Sequence, residues 1–77
     1  MKALIEYICT SLVDDPTQVN VEEIRHGSQV TLKLQVARED MGRVIGKSGR
    51  VANAIRALVR VAAEREGQQV TLDVMEP

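Results

Sequence analysis

Residues 41–60 of this 77-residue chain read MGRVIGKSGRVANAIRALVR, and this stretch decides the fold. A short apolar segment enters the turn Gly46-Lys47-Ser48-Gly49, and apolar residues with helical spacing follow it. Two glycines within four residues allow backbone conformations that side chains disfavour. We therefore predict a tight turn that joins a short helix to a long one.

The turn resembles the phosphate-binding loop of nucleotide hydrolases, but its spacing and its context differ. That loop reads G-x-x-x-x-G-K-[ST], with four residues between its glycines. Here only three residues separate Gly42 from Gly46. The hydrolase loop also follows a strand of a parallel sheet, whereas this turn joins two predicted helices, and no acidic strand end offers a magnesium ligand. These differences argue against nucleotide hydrolysis.

A second interpretation treats residues 46–49 as a GxxG turn that binds a polynucleotide backbone. Without a Cβ atom, Gly46 and Gly49 would let a sugar-phosphate chain approach closely. The first amides of the following helix, at the positive end of its dipole, would then face the anion. Lys47 would add a mobile positive charge, and Ser48 a hydrogen-bond donor.

Residues on both sides of the turn extend this candidate site. Arg43 and Arg50 are placed to engage neighbouring phosphates, and Val44, Ile45 and Ala52 offer an aliphatic surface for bases. Such an assembly needs no aromatic rings, in keeping with a chain whose only aromatic residue is one tyrosine. Folds that stack single-stranded bases on two or three aromatic side chains are excluded by that count.

The charge distribution supports an anion-binding site even though the net charge is −1. Residues 38–60 hold six basic and two acidic side chains, residues 1–37 hold three and five, and residues 61–77 hold one and four. A local basic patch attracts an anion whatever the total charge. The alternative is a solvated helix face that merely happens to be basic.

Hydrophobic periodicity predicts the elements before the turn. Residues 3–13 carry apolar side chains at helical spacing, so we expect an amphipathic helix that ends at the Asp-Asp-Pro sequence. Residues 30–36 alternate apolar and polar, as a half-buried strand does, and Val19 and Val21 begin the same pattern earlier. Gly27 lies in the turn between these strands and predicts an antiparallel hairpin. Ile24 falls out of phase, so we expect a bulge there.

After the hairpin we expect two helices and a third strand. Asp40 is predicted to be the N-cap of the short helix. The long helix is expected to start at Arg50 and to end at a C-cap at Gly67. Its predicted inward stripe contains Val51, Ala54, Ile55, Leu58, Val59 and Ala62. Residues 69–74, QVTLDV, alternate again and predict the last strand, which gives one α+β domain over residues 1–77 in the order α-β-β-α-α-β.

Composition narrows the remaining chemistry. The single Cys9 excludes an internal disulfide, lies on the apolar stripe of the first helix, and is interpreted as a core residue. With one histidine, no zinc site has the required spacing, and we expect no metal and no cofactor. No catalytic triad or pair of carboxylates can be assigned, so we expect no enzymatic activity. The N-terminal run lacks a signal-peptide cleavage site and no segment reaches ~20 apolar residues, so we expect a cytoplasmic protein without membrane insertion.

The sequence VIGKSGR, set between two helices in this element order, resembles the GxxG core of the KH domain, in its bacterial type II form. The longer stretch EDMGRVIGKSGR is similar to small stand-alone bacterial KH proteins of the KhpA group, and the resemblance covers the whole chain. It implies a three-stranded mixed sheet backed by three helices. It also implies that residues 46–49 clamp the backbone of about four nucleotides of single-stranded RNA. Of the apolar pair Val44 and Ile45, one would line the groove and the other would pack beneath it.

The resemblance further implies a biological setting. It suggests an RNA-binding protein of low sequence selectivity, acting as an RNA chaperone or post-transcriptional regulator, without a small-molecule substrate. It also suggests a homodimer, or a heterodimer with a larger KH-containing bacterial protein. Many relatives have a bulkier aliphatic residue in place of Ala52, so base contacts are expected to be shallower here. The alternative is a protein-interaction module with an idle groove, although such domains usually lose the glycines or the basic residue that this turn keeps.

Overall fold

The computed structural model describes residues 1–75 and contains, within that range, three α-helices and three strands. The helices are α1 (Lys2–Leu12), α2 (Met41–Ile45) and α3 (Arg50–Arg65), and the strands are β1 (Asn20–His26), β2 (Gln29–Gln35) and β3 (Gln69–Met75). Short 3₁₀ turns lie at Pro16–Gln18, Arg38–Asp40 and Lys47–Gly49. The predicted α-β-β-α-α-β order is confirmed. Among the described residues, no helix combines the length and the apolar character needed to cross a bilayer.

The three strands form one mixed sheet in the order β1-β2-β3. β1 and β2 make the predicted antiparallel hairpin, in which Asn20 lies opposite Gln35 and His26 lies opposite Gln29. β3 pairs parallel to β2. A parallel neighbour requires a crossover, and α2 and α3 provide it, with the glycine turn between them. β3 is therefore an edge strand that follows directly after α3.

All three helices pack on one face of this sheet. Alternate residues of β2 point into the core, as their spacing predicted. The core side chains are Ile5, Cys9, Val21, Val30, Leu32, Leu34, Val36, Val44, Ile55, Val59 and Leu72. The opposite face is polar, and its central row places Lys33 between Glu22 and Asp73. Oppositely charged cross-strand neighbours of this kind favour one register over a slipped one.

The bulge expected at Ile24 is absent. Pairing between β1 and β2 is continuous, with Glu23 opposite Leu32 and Ile24 opposite Thr31. Ile24 therefore lies on the polar face of the sheet, where it is half-buried, while Glu23 takes the inward position. The local pattern was misleading because the central strand β2 fixes the register, and β1, at the edge, tolerates a misplaced isoleucine.

The buried face of α3 also differs from the predicted one. Its buried residues are Ala52, Ile55, Val59 and Ala63. Leu58, which is 55% exposed, and Ala54 face solvent instead of the core. Apolar residues cover more than half of the circumference of this helix, so periodicity alone could not choose the inward face. Ala52 and Ala63, which were not part of the predicted stripe, are buried together with Ile55 and Val59, so the helix is rotated relative to the prediction.

The predicted C-cap at Gly67 is confirmed. Gly67 has φ 69°, its N–H donates to the carbonyl of Glu64 at 3.1 Å, and the N–H of Gln68 donates to the carbonyl of Ala63 at 2.9 Å. This pair of bonds is the Schellman arrangement, which favours glycine at the left-handed position. The N–H of Gln69 then donates to the carbonyl of Ser28 at 2.9 Å, and β3 begins beside β2.

Candidate nucleic-acid interface

The turn of residues 46–49 is built from unusual backbone conformations. Gly46 has φ 75° and ψ 175°, a region that is essentially restricted to glycine. Ser48 (φ 57°) and Gly49 (φ 76°) are both left-handed, and Ser48 is the one non-glycine residue with positive φ in the described part of the chain. The N–H of Gly46 donates to the carbonyl of Gly42 at 2.9 Å, and the N–H of Gly49 donates to the carbonyl of Gly46 at 3.2 Å. These bonds end α2 and turn the chain into α3.

Gly46 is required because it touches the start of α3. A Cβ atom at this position would lie 2.5 Å from Cγ2 of Val51 and 2.9 Å from the backbone nitrogen of Val51. Either distance is shorter than a real contact, so no other residue fits without movement of the helix. The missing side chain also leaves the first amides of α3 uncovered. At Gly49 a Cβ atom would meet only Asn53 Nδ2, at 3.9 Å, so the backbone conformation alone favours glycine there.

The N-terminus of α3 is positively charged and open. Its N-cap, Gly49, makes no side-chain cap, and the first turn of the helix has no acidic residue. The N–H of Arg50 donates to the carbonyl of Lys47 in the preceding turn. The other N–H groups in the first turn of a helix have no intrahelical acceptor, and they carry the positive end of its dipole. Lys47, Ser48 and Arg50 are exposed around them. Among residues 1–75, no carboxylate lies within 4.0 Å of the charged groups of Lys47 or Arg50.

Two of the three residues predicted to offer an aliphatic surface are core residues. Val44 is 0% exposed and Ala52 is 4% exposed, so neither side chain presents surface to a base. Val44 belongs to the hydrophobic core cluster, and Ala52 lies on the buried face of α3. Ile45 is half-buried beside the turn, and Val51, which was not predicted to belong to the site, has the same degree of burial. The accessible aliphatic surface at the turn therefore consists of Ile45 and Val51.

Asp40 is the N-cap residue of α2, as predicted, but its side chain makes no capping hydrogen bond to that helix. It is buried, and its carboxylate accepts hydrogen bonds from the backbone N–H groups of Asp14 and Asp15, each at 3.1 Å. It thus ties the segment after α1 to the start of α2. Arg43, one turn further on, donates to Asp14 Oδ2 at 3.0 Å. No local sequence pattern indicates these contacts, because they join residues 25 to 29 positions apart.

A groove between α3 and the edge strand β3 was not predicted. It has a volume of about 240 Å³ and is lined by Arg56, Val59, Arg60, Val70, Thr71 and Leu72. Arg56 Nε donates to the carbonyl of Leu72 at 3.4 Å, and its Nη1 donates to Asn53 Oδ1 at 3.2 Å. The basic residues were visible in the sequence, but only the packing of α3 on β3 brings them to this edge of the sheet.

A wider depression lies elsewhere in the described part of the chain. It holds about 750 Å³ and is bordered by residues of the Pro16–Gln18 turn, the ends of β1 and β2, and Arg38 and Glu39. None of the residues predicted for the site lines it. Its rim mixes acidic and basic groups, so it has no preference for anions.

A mixed β1-β2-β3 sheet with a GxxG turn between the second and third helices defines the type II KH domain. The sequence of residues 2–74 matches the family model described as "KhpA/KhpB, KH domain". The chain therefore belongs to the KhpA/KhpB KH-domain family, which confirms the resemblance and the predicted fold class. The family is non-enzymatic, in agreement with the expected lack of catalysis.

Several curated relatives match over nearly the full length. The RNA-binding protein KhpA of Clostridium acetobutylicum is 47% identical over 75 residues, which cover 97% of this chain and 100% of that protein. KhpA of Halalkalibacterium halodurans is 43% identical, with 99% and 100% coverage, and KhpA of Chlamydia trachomatis serovar D is 40% identical, with 99% and 97%.

Solved structures show the same fold within a larger protein. Era, in a crystal structure with MgGDPNP and nucleotides 1506–1542 of 16S ribosomal RNA, matches 97% of this chain and 29% of its own, with a TM-score of 0.65 and 21% identity. A second structure, Aquifex aeolicus Era Y63A bound to GDP.AlF4-, has a TM-score of 0.64. At this identity the match concerns the fold alone.

Proposed function

We propose that this protein binds single-stranded RNA, and that the turn of residues 46–49 with the N-terminus of α3 holds the RNA backbone. The observation that carries the proposal is the open first turn of α3, kept clear by the absence of a side chain at Gly46. A phosphate placed there would accept hydrogen bonds from main-chain N–H groups. The curated relatives, matched over their whole length, bear the name of RNA-binding proteins.

The charges around the turn set the strength and the salt dependence of binding. Lys47 and Arg50 are exposed without an acidic neighbour, so each is available to a phosphate. Binding to single strands weakens with salt by a slope of about −0.7 for each phosphate neutralised. Two or three contacts therefore predict a slope of about −1.4 to −2. Such a module binds weakly, and its selectivity among sequences is low because phosphates carry no sequence information.

Bases would lie between α3 and the edge of the sheet. The half-buried side chains of Ile45 and Val51 supply apolar surface near the turn, and the groove with Arg56 and Arg60 continues it along α3. An edge strand such as β3 presents backbone N–H and C=O groups on its unpaired side. Those groups can hydrogen-bond base edges without aromatic stacking, which suits a chain with one tyrosine.

A charge reversal at the turn tests this proposal. The variant Lys47→Asp/Ser48→Asp places two carboxylates where the phosphates would bind, and aspartate tolerates the left-handed conformation of Ser48. A matched control, Ser28→Asp/Arg65→Asp, changes the charge by the same amount. Arg65 is exposed at the other end of the 16-residue helix α3, and Ser28 is exposed beside the start of β3. Each protein is titrated with a labelled short single-stranded RNA at two salt concentrations, with circular dichroism to check the fold.

We expect the turn variant to lose most of its RNA binding at both salt concentrations, while the control retains most of it. Equal binding by wild type and the turn variant would disprove the assigned site. Absence of wild-type binding at low salt and high protein concentration would instead favour a protein-interaction module. Competition with single-stranded DNA of the same sequence, in the same titration, measures the preference for RNA.

Self-association is a second function that the surface favours. Leu58 and Val61 are each 55% exposed on α3, and Ala54 and Ala57 beside them are exposed as well. We propose that this face forms a homodimer, or a heterodimer with a second KH domain of a larger protein. Two linked grooves would raise the affinity for one RNA strand by avidity. Sedimentation of wild type and of Leu58→Glu tests it, since a charge at the centre of the interface would leave a monomer.

The role in the cell is proposed on the same basis. A module that holds RNA through its backbone and with low selectivity suits an RNA chaperone or a post-transcriptional regulator acting in the cytoplasm. RNA annealing or strand-exchange assays with the wild type and the turn variant would test the chaperone activity. If the wild-type protein does not accelerate RNA annealing or strand exchange above the protein-free rate, the chaperone activity is ruled out.

A further inference from the structure

Arg43 differs from the other cations around the turn because it already has acidic partners. Its Nη2 lies 3.0 Å from Asp14 Oδ2, and its Nε lies 3.7 Å from Asp40 Oδ1. Lys47 and Arg50 make no such pair with residues 1–75. The cation on the α2 side of the turn is therefore neutralised, whereas those on the α3 side are available.

The position of Asp14 is fixed by the backbone. The buried carboxylate of Asp40 accepts the N–H of Asp14 on Oδ1 and the N–H of Asp15 on Oδ2, both at 3.1 Å. The segment after α1 is thereby held against the start of α2. The side chain of Asp14 is consequently presented to Arg43, rather than meeting it by chance on a mobile loop.

The ion pair itself is weak enough to be exchanged. The side chains of Arg43 and Asp14 are 53% and 77% exposed, and exposed pairs contribute little because water and salt screen them. A phosphate offers the guanidinium the same fork-like, charge-assisted hydrogen bonds as a carboxylate. RNA phosphate and the Asp14 carboxylate are therefore alternative partners for one cation.

We infer that Asp14 sets the RNA affinity of the domain by competing with phosphate for Arg43. The inference rests on the proposed RNA-binding function and adds a residue far from the turn in sequence. Removing the charge of Asp14 would leave Arg43 with only the longer contact from Nε to Asp40, at 3.7 Å, and would make its Nη2 available to a further phosphate. Asp14 thus acts through Arg43 as a residue that limits affinity and keeps binding reversible.

The variant Asp14→Asn tests the competition with little change of shape. We expect it to bind a labelled short single-stranded RNA roughly two- to fivefold more tightly at low salt, the range of one exposed charge pair. The salt dependence should become steeper by about 0.7, the increment for one further phosphate on a single strand. Asp15→Asn is the matched control: it removes the same charge one residue away, from a carboxylate that bonds Thr17 and not Arg43.

A double-mutant cycle with Arg43→Gln separates competition from a general effect of charge. If Asp14 acts through Arg43, the gain of Asp14→Asn disappears in the Arg43→Gln background. A gain that persists there, or an equal gain in Asp15→Asn, would overturn the inference, as would weaker binding by Asp14→Asn. Thermal unfolding of each variant checks that the fold is unchanged.

The outcome also distinguishes this inference from the proposed function. Wild-type binding without coupling between Asp14 and Arg43 would overturn the inference alone. Absence of binding by wild type would overturn both. NMR gives an independent readout: RNA should shift the Nε–H resonance of Arg43 more in Asp14→Asn than in the wild type, and a resonance that stays unchanged in Asp14→Asn at saturating RNA would also contradict the competition.

Discussion

Replacement of Gly46 by alanine tests how far the turn depends on its first glycine. The new Cβ atom would lie 2.5 Å from Cγ2 and 2.9 Å from Cβ of Val51, and the backbone at φ 75° and ψ 175° disfavours any side chain. Backbone strain of this kind costs about 1–3 kcal/mol. Overpacking adds about 1–3 kcal/mol more. We therefore expect the free energy of unfolding to fall by roughly 2–6 kcal/mol, a large part of the roughly 4–12 kcal/mol available to 77 residues.

Two other glycines provide controls for the same measurement. In Gly49→Ala the new Cβ atom would have its nearest contact, Asn53 Nδ2, at 3.9 Å, so the left-handed φ of 76° is the main cost. The free energy of unfolding should therefore fall by about 1–2 kcal/mol. Gly42 lies in α2 without a positive φ, and the space that a Cβ atom would occupy there is open. Gly42→Ala should therefore gain about 0.5–1 kcal/mol from helix propensity.

Urea denaturation followed by circular dichroism at 222 nm gives these differences directly. The expected order of stability is Gly42→Ala, wild type, Gly49→Ala and Gly46→Ala, from highest to lowest. If Gly46→Ala were as stable as Gly49→Ala, the contact between Gly46 and Val51 would not restrict the turn, and the reasoning would be refuted.

Three further predictions concern single side chains. Asp40→Asn keeps only one acceptor oxygen for the N–H groups of Asp14 and Asp15, so the free energy of unfolding should fall by about 1.5–3 kcal/mol. Urea denaturation measures this change, and an unchanged midpoint would contradict the role of the Asp40 carboxylate. Ser48→Gly places glycine at a left-handed position, so the free energy of unfolding should rise by up to about 1 kcal/mol in the same assay. A lower free energy of unfolding would show that the serine side chain supports the turn. Burial raises the pKa of the Cys9 thiol above its ordinary value of 9.0. A thiol reagent at pH 8 should therefore modify Cys9 only as fast as the protein unfolds, and rapid modification would contradict the burial of this side chain. Because the unfolded chain releases this proton at lower pH than the folded one, the free energy of unfolding should decline as pH rises above about 9.0, and Cys9→Ala should lack that part of the decline.

The element order was predictable because each element has a strong local signal. The period-2 alternation of β2, the glycine turn and the C-cap at Gly67 all depend on neighbours in sequence, and the structure confirms them. The rotation of α3 was not predictable in the same way. Leu58 and Ile55 are equally apolar, and only the tertiary packing of the helix decides which of them is buried.

The candidate site was predictable at the turn and not around it. The exposure of Lys47 and Ser48 follows from their place in a tight turn, whereas the burial of Val44 follows from the way α2 meets the sheet. The pairing of Arg43 with Asp14 joins residues 29 positions apart, so no local pattern could indicate it. Charge counts therefore indicated a basic segment, but they could not tell which of its cations already pair with carboxylates.

If main-chain N–H groups at the start of α3 hold a phosphate of RNA, as proposed, their resonances must respond to RNA. The most direct measurement is a titration of ¹⁵N-labelled protein with a short single-stranded RNA, followed by the amide resonances. Binding as described predicts the largest shifts at Lys47–Gly49 and at Val51 and Ala52, with small shifts at the β1–β2 turn around Gly27. Shifts concentrated on α1 or on the polar face of the sheet, with the amides of the turn unchanged, would contradict it.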